Sequence, residues 1–305
     1  MAIAYIYHED CELHDPGPHH PESPARIRAI DDYLPRSGVS NKLQRHEAPL
    51  ASRQQLCRAH DEKYVDAIFS AAPTEGYLYL DPDTCMSPHS LNAALRAAGS
   101  VIKGVDLVYS GEAERAFCNV RPCGHHAETR RAMGFCIFNN VAVGACYARD
   151  RYALKRIAIV DFDVHHGNGT EDIFRNEPSV LFCSTFQHPF FPGSGADTRS
   201  EHIVNVPLPA GTSGARFREA FARQIEPALN DFAPELMLVS AGFDAHENDP
   251  LAQLRLGEAD FEWITRKIRE VADEYAQGRL VSVLEGGYNI ASLGSCVEAH
   301  LKAMI

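Results

Sequence analysis

Residues 160–174 read VDFDVHHGNGTEDIF, with Asp161, Asp163 and His165 at alternate positions. On a strand, side chains at i, i+2 and i+4 share one face, so this spacing aims two carboxylates and an imidazole the same way. Such groups suit a hydrophobic core badly and a metal or catalytic site well. Three further polar clusters also follow apolar runs. They are His125 and His126 in RPCGHHAE, Asp244 after LMLVSAGF, and Gly-Gly-Tyr288 after LVSVLE. Asp163, His165 and Asp244 make a plausible three-ligand set. Zinc takes imidazole nitrogen and carboxylate oxygen, and a catalytic site keeps one position open. Two carboxylates and one histidine also suit Fe(II), Co(II) or Mn(II). One histidine of the 125–126 pair could then deprotonate water and the other hold a proton or pass it to a leaving amine. Asp161 could orient His125, and the Tyr288 phenol could polarise a carbonyl.

Each feature alone has a plainer reading. A His–His pair is commonly surface, an Asp after a strand commonly caps the next helix, and Gly-Gly-Tyr is a turn. His166, pointing away from the face of its neighbour, reads as a packing residue. The remaining histidines, among them His14, His60 and His300, read as surface or capping groups. Joint occurrence at strand ends separates the set from its members.

The elements that must position these residues follow from apolar runs. Strands are expected over 2–7, 116–120, 156–162, 180–185, 203–206, 236–240 and 280–284. Helices are expected from Pro24 and over 64–70, 91–109, 139–149, 215–231 and 258–275. The later strand runs are continuously apolar, as strands buried on both faces are. Strand–helix alternation over the whole length predicts an α/β fold, an open, mostly parallel sheet with helices on both faces, as one domain over 1–305. Ligands of such sheets bind at the carboxyl ends of the strands, where the four clusters fall.

The chain has 305 residues, 45% of them hydrophobic and 23% charged, which describes a globular protein. Lys plus Arg number 29 against 41 Asp plus Glu, a formal charge of −12. That field disfavours nucleic acid and anionic membranes and favours cationic partners. No apolar run approaches the ~20 residues of a membrane span, and MAIAYIYHEDC lacks the basic start of a signal peptide. The 9 cysteines, odd in number and without paired CxxC spacing, read as reduced thiols of a cytoplasmic protein.

The sequence resembles the histone deacetylase family of metal-dependent amidohydrolases, specifically the class II branch with its bacterial relatives. The matching stretches are HHPESPARI (19–27), RPCGHHAETRRAMGFCIFNN (121–140), VDFDVHHGNGTEDIF (160–174), FFPGSG (190–195), SAGFDAHENDPLAQL (240–254) and EGGYN (285–289). The resemblance implies an arginase/deacetylase-type sheet and a Zn(II)-dependent deacylase acting on N-acetyl-lysine in a protein or peptide. It assigns Asp163, His165 and Asp244 to the metal, His125 to a pair with buried Asp161, His126 to the general base, and Tyr288 to the carbonyl. Gly134, Phe135, Phe191 and Leu251 fall along the acyl-lysine tunnel, and Arg26 toward an interior channel for acetate. A structural K⁺ is implied beside Asp161, Asp163, His165 and Ser184.

Some positions discriminate. Asn168 stands in HHGNG where class I members carry Asp, so His126 is expected to face a neutral amide. Cys123 replaces the commoner proline before GHH and reads as a passive small residue, with oxidation as the alternative. His246 stands where a dinuclear arginase-type site needs a carboxylate. Two rival functions remain: a non-catalytic acyl-lysine binder, for which Tyr288 would be expected to be missing, and an amidohydrolase of acetylpolyamines or other small acetylated amines. Polyamine-selective relatives carry glutamate seven residues after the last metal-binding Asp, where this chain has Leu251. The oligomeric state is left open.

Overall fold

The computed structural model describes residues 3–305. In chain order the strands are β1 (Ile3–Tyr7), β2 (Leu43–Glu47), β3 (Leu78–Asp81), β4 (Thr84–Met86), β5 (Arg115–Cys118), β6 (Ile157–Asp161), β7 (Val180–Gln187), β8 (Ile203–Leu208), β9 (Leu236–Ala241) and β10 (Leu280–Leu284). The helices are α1 (Asp10–Leu13), α2 (Ala25–Tyr33), α3 (Arg53–Leu56), α4 (Glu62–Ala71), α5 (Ser90–Ser110), α6 (Asn140–Tyr152), α7 (Asn168–Phe174), α8 (Gly214–Phe232), α9 (Glu258–Tyr275) and α10 (Ile290–Met304).

Eight strands form one sheet in the order β2-β1-β5-β10-β9-β6-β7-β8. Every neighbouring pair in it is parallel. Strands β6, β7, β9 and β10 are buried along their whole length, which is why their sequences are mainly apolar and do not alternate with polar residues. The flanking helices pack in groups, α5 on α6, and α10 on α9 and α2. Strands β3 and β4 form a separate antiparallel hairpin.

The strand order itself places the site. Consecutive strands β5 and β6 are separated in the sheet by β10 and β9, which enter last and fill the centre. Loops leaving these four central strands therefore open a crevice at their carboxyl ends, the usual ligand position of an open α/β sheet.

Three histidines expected at the surface are instead buried: His14, His60 and His300. His300 sits between Thr265 Oγ1 (2.6 Å) and Ser282 Oγ (2.9 Å). The backbone N–H of Asn139 donates to His60 Nε2 at 2.9 Å, and His60 Nδ1 lies 3.0 Å from the Glu128 carbonyl. Burial pushes His60 down to about 4 and His300 down to about 3. Both folded values lie below the unfolded value near 6.5, so the unfolded chain takes up protons first as pH falls. Stability is thus full above pH ~6.5 and is lost from there toward pH 3, at up to ~1.4 kcal/mol per pH unit per histidine. Urea midpoints at pH 7.5, 6 and 5 should fall in that order, and the fall should shrink in His300→Gln. An acid-insensitive midpoint would remove both histidines from the account.

Candidate active site

The β6 exit departs from the strand geometry expected of it. The ladder ends at Asp161, whose partners are Ser184 and Ser240, so Asp163 and His165 lie in the following loop and not on a strand face. Carboxylates replace the ladder there. The Asp163 N–H donates to Asp161 Oδ1 at 3.1 Å and the His165 N–H to Asp163 Oδ1 at 2.8 Å. Short Asp side chains that capture an N–H two residues on turn the chain while keeping its backbone satisfied. The alternation survives because each turn repeats after two residues.

Asp244, after β9, is no helix cap. Its Oδ1 accepts the Val164 N–H at 2.9 Å, while its fully buried Oδ2 has no hydrogen-bond donor. His165 Nδ1 lies 3.0 Å from Asp163 Oδ1 and 3.1 Å from Asp244 Oδ2. Donor atoms of Asp163, His165 and Asp244 all fall within 4.8 Å of one another, in a fully buried cluster. Burial opposes charge here. Even so, the two carboxylates hold His165 up at about 10, and burial with the Asp163 charge pushes Asp244 up to about 7. Two buried carboxylates and one imidazole converging around an undonated oxygen fit a divalent cation.

The β10 exit closes the other side. The Gly286 N–H donates to Asp163 Oδ2 at 2.8 Å, and a Cβ on Gly286 would fall onto the Asp244 and Asp163 carboxylates. Gly287 has φ +126°, a conformation L side chains rarely adopt. Both glycines of Gly-Gly-Tyr are thus fixed by the carboxylate cluster and by the turn that delivers Tyr288. Asp249 ties this loop to its neighbour, with Oδ2 accepting the Tyr288 N–H at 2.8 Å and Oδ1 the Leu251 N–H at 3.0 Å. Burial, followed by the negative charges around it, keeps the Tyr288 phenol protonated well above its ordinary range.

The β5 exit supplies the histidine pair, their rings 4.0 Å apart. His125 Nδ1 is 2.9 Å from Asp161 Oδ2, and although burial opposes it, Asp161 and Asp163 hold the His125 imidazole well above its usual range. His126 Nδ1 is 2.8 Å from Asn168 Oδ1. Asn168 Nδ2 donates to Glu128 Oε1 at 2.8 Å, which fixes the amide with its oxygen toward His126. That oxygen accepts Nδ1–H and leaves Nε2 of His126 as the free base. Burial and the charges on His125 and His165 push His126 well below the usual histidine range.

All four residues expected along a tunnel, Gly134, Phe135, Phe191 and Leu251, line one cavity of about 90 Å³ with Asp83, His126, His165 and Tyr288. Phe135 stands edge-on to Tyr288, and Phe191 edge-on to His126. Gly134 and Phe135 both have positive φ, +58° and +69°, and a Cβ on Gly134 would strike the His126 ring. Arg26 is fully buried behind Tyr288, its guanidinium carbon 4.9 Å from the ring centroid, and donates to the Gly287 carbonyl at 2.8 Å. Ser184 lies beside Asp161 in the ladder, with its Oγ 3.2 Å from His166 Nδ1. His166 packs as expected, with Nε2 2.8 Å from Glu171.

Sequence reasoning missed Asp83, Glu128, Asp249 and Glu285. Asp83 follows the hairpin strand β3, whose four residues offered no readable pattern. The Glu285 carboxylate accepts the backbone N–H groups of Gly124 (2.6 Å) and His125 (3.1 Å), anchoring the histidine loop to β10. Glu128, Asp249 and Glu285 lie inside quoted motifs, so their acidity beside candidate residues was the signal available.

An open parallel sheet carrying this cluster at its central strand ends is the arginase/deacetylase type of α/β fold. Residues 20–304 match the model of the histone deacetylase domain. The chain is 38% identical over 309 residues to an uncharacterized protein of Synechocystis sp., covering 99% of each. It is 38% identical over 325 residues to a histone deacetylase-like amidohydrolase of Pseudomonas aeruginosa, covering 99% of this chain and 85% of that one. The crystal structure of the HDA15 HD domain superposes with a TM-score of 0.93 at 34% identity, covering 99% of this chain and 88% of that one. The chain belongs to the histone deacetylase family. No helix among the described residues is long and apolar enough to cross a membrane.

Proposed function

We propose that the protein is a Zn(II)-dependent deacylase that hydrolyses the amide of N-acetyl-lysine in a protein or peptide to lysine and acetate. The observation that carries this reading is the Asp163–His165–Asp244 cluster, with its undonated Asp244 oxygen, at a cavity shared by His126 and Tyr288. Asp163, His165 and Asp244 would hold the metal, Fe(II) or Co(II) being alternatives; when bound it supplies Lewis acidity for the carbonyl and for water. His126 takes the proton of the attacking water at Nε2, the only nitrogen its Asn168 bond leaves free. Tyr288 donates its O–H to the carbonyl oxygen as negative charge gathers there. His125, paired with Asp161, holds positive charge beside the reacting centre, and His126 returns a proton to the leaving amine. Phe135 and Phe191 flank the lysine stem, and Gly134 gives it room. A K⁺ held beside Asp161, Asp163, His165 and Ser184 and a cytoplasmic location belong to the same proposal.

The small-amine reading has its own support in the −12 charge and in Asp83 at the cavity. Against it, Asp83 Oδ1 is already engaged by the Gly134 N–H (3.1 Å) and the Thr84 hydroxyl (2.9 Å), and solvent ions screen distant charge beyond ~8–10 Å. Leu251 presents apolar surface where a carboxylate would pair with a secondary ammonium, a bond worth on the order of 1.5–3 kcal/mol. Kinetics on matched acetyl-lysine peptides and acetylpolyamines test the choice. Peptides should be preferred, and Leu251→Glu should shift the kcat/KM ratio toward N-acetylputrescine by roughly 10-fold or more. A wild-type preference for acetylpolyamines would replace the peptide reading.

A further inference from the structure

Cys123 and Cys136 meet beside the tunnel although 13 residues separate them in sequence. Their sulfurs are 3.4 Å apart, and the Gly134 carbonyl lies within reach of both, 3.8 Å from Cys123 Sγ and 3.3 Å from Cys136 Sγ. With Ala127 they form a small buried cluster of their own, apart from the main core, with Phe135 packed on it. Cys123 immediately precedes Gly124-His125-His126, and Cys136 immediately follows the Gly134-Phe135 wall. The pair thus bridges the loop carrying the histidines and the loop carrying one tunnel wall.

We propose that Cys123 and Cys136 are an oxidisable dithiol whose disulfide lowers the activity of the neighbouring site. The oxidant class is a peroxide. The Cys123 sulfur attacks hydrogen peroxide, the O–O bond breaks, and Cys123 sulfenic acid and one water form. The Cys136 sulfur then attacks the sulfenic sulfur, the S–O bond breaks, and the disulfide and a second water leave. Two thiols are oxidised by two electrons, and one peroxide is reduced to two waters.

Bond formation draws the sulfurs from 3.4 Å to the ~2.04 Å of a disulfide. It also removes the S–H groups that lie beside the Gly134 carbonyl. The Gly134–Phe135 turn, in positive φ, is closed by the reciprocal Met133–Cys136 backbone bonds (3.2 and 3.0 Å) and tied outward by the Gly134 N–H to Asp83 and the Phe135 N–H to Thr84 Oγ1, so Cys136 is itself the hinge through which a pull reaches it. A pull on either side of that turn moves the wall against His126, whose ring already leaves no room for a Cβ on Gly134. None of Asp163, His165 and Asp244 is a thiol, so oxidation would act through the wall and not by consuming a ligand.

Other outcomes of oxidation are separable. Seven further cysteines are free, and Cys57 is the only one of the nine that is not buried. The test uses the metal-loaded full chain treated with hydrogen peroxide, followed by peptide mapping under non-reducing conditions and by activity. The expected result is a Cys123–Cys136 cross-link that forms in step with a ~10- to 100-fold loss of kcat/KM, as displacements near 1 Å at a reacting centre produce, and that dithiothreitol reverses. Cys123→Ala and Cys136→Ser, tested separately so that one misfolded variant does not decide the matter, should keep activity and resist peroxide. No cross-link, or a cross-link with unchanged kcat/KM, would overturn the proposal. The deacylase reading enters only through the activity assay, and mapping reads the disulfide even if the substrate class is wrong.

Discussion

Asp163→Ala, His165→Ala and Asp244→Ala should each lose bound metal and turnover on an acetyl-lysine peptide. The wild type should lose activity to a strong chelator and regain it with Zn(II) or Co(II). The size of the loss follows from what the cluster replaces. A Lewis acid supplies several kcal/mol of charge stabilisation to amide hydrolysis, which is about three orders of magnitude in rate or more. Among the described residues, no lysine or cysteine lines the cavity to substitute as a nucleophile. Alanine also removes acceptors the backbone uses, since Asp163 takes the Gly286 and His165 N–H groups and Asp244 takes that of Val164. Asp244→Asn separates the two effects, because its amide oxygen can still accept the Val164 N–H while the bare Oδ2 becomes an NH2. That variant should fold with a near-native melting curve and fail to hold metal. Full turnover by rigorously metal-free wild type would end this account.

Much of the site was legible because its chemistry recurs at strand ends, and continuously apolar strands are the easiest elements to read in an α/β chain. Strand β10 occupies the span its apolar run predicts, and α9 the span its periodicity predicts. What was illegible had a physical reason each time. Strand β2, LQRHE, is a half-exposed sheet edge, so its hydrophobic signal is weak. Helix α10 carries two serines and Gly294, where a Cβ would meet the Tyr33 ring, so its apolar period is weakened. His60 and His300 looked like surface groups because nothing local marks a histidine whose partners lie far along the chain. Asp163 and His165 were placed on a strand because Asp-mediated turns mimic its two-residue period.

The same long-range logic explains which acidic residues escaped notice. Glu285 bonds Gly124 across 161 positions and Asp249 bonds Tyr288 across 39. Each holds a loop of the site from a different strand end. Their acidity reads as ordinary in sequence, since only the strand order brings the exits of β5, β9 and β10 together.

Tyr288→Phe should fold, bind metal and lose turnover by ~10²–10³, the usual cost of removing one oxyanion donor. Among the described residues, none hydrogen-bonds the phenol to hold the loop. Tyr288 is instead positioned through its backbone N–H, which Asp249 accepts, and through the glycine pair before it. The ring also packs edge-on to Phe135 and lies against the Arg26 guanidinium, contacts that phenylalanine keeps. Burial and the surrounding negative charge keep the O–H protonated well above neutrality, so it serves as a donor throughout the working pH range. The loss should therefore fall on kcat with little change in KM, because the bond strengthens as charge gathers on the carbonyl oxygen. Rate loss at constant metal content, measured by single-turnover hydrolysis beside metal analysis, is the expected result. Unchanged turnover in Tyr288→Phe would take Tyr288 out of the chemistry. Wild-type protein that binds acetyl-lysine peptide without ever cleaving it would instead establish the binding module.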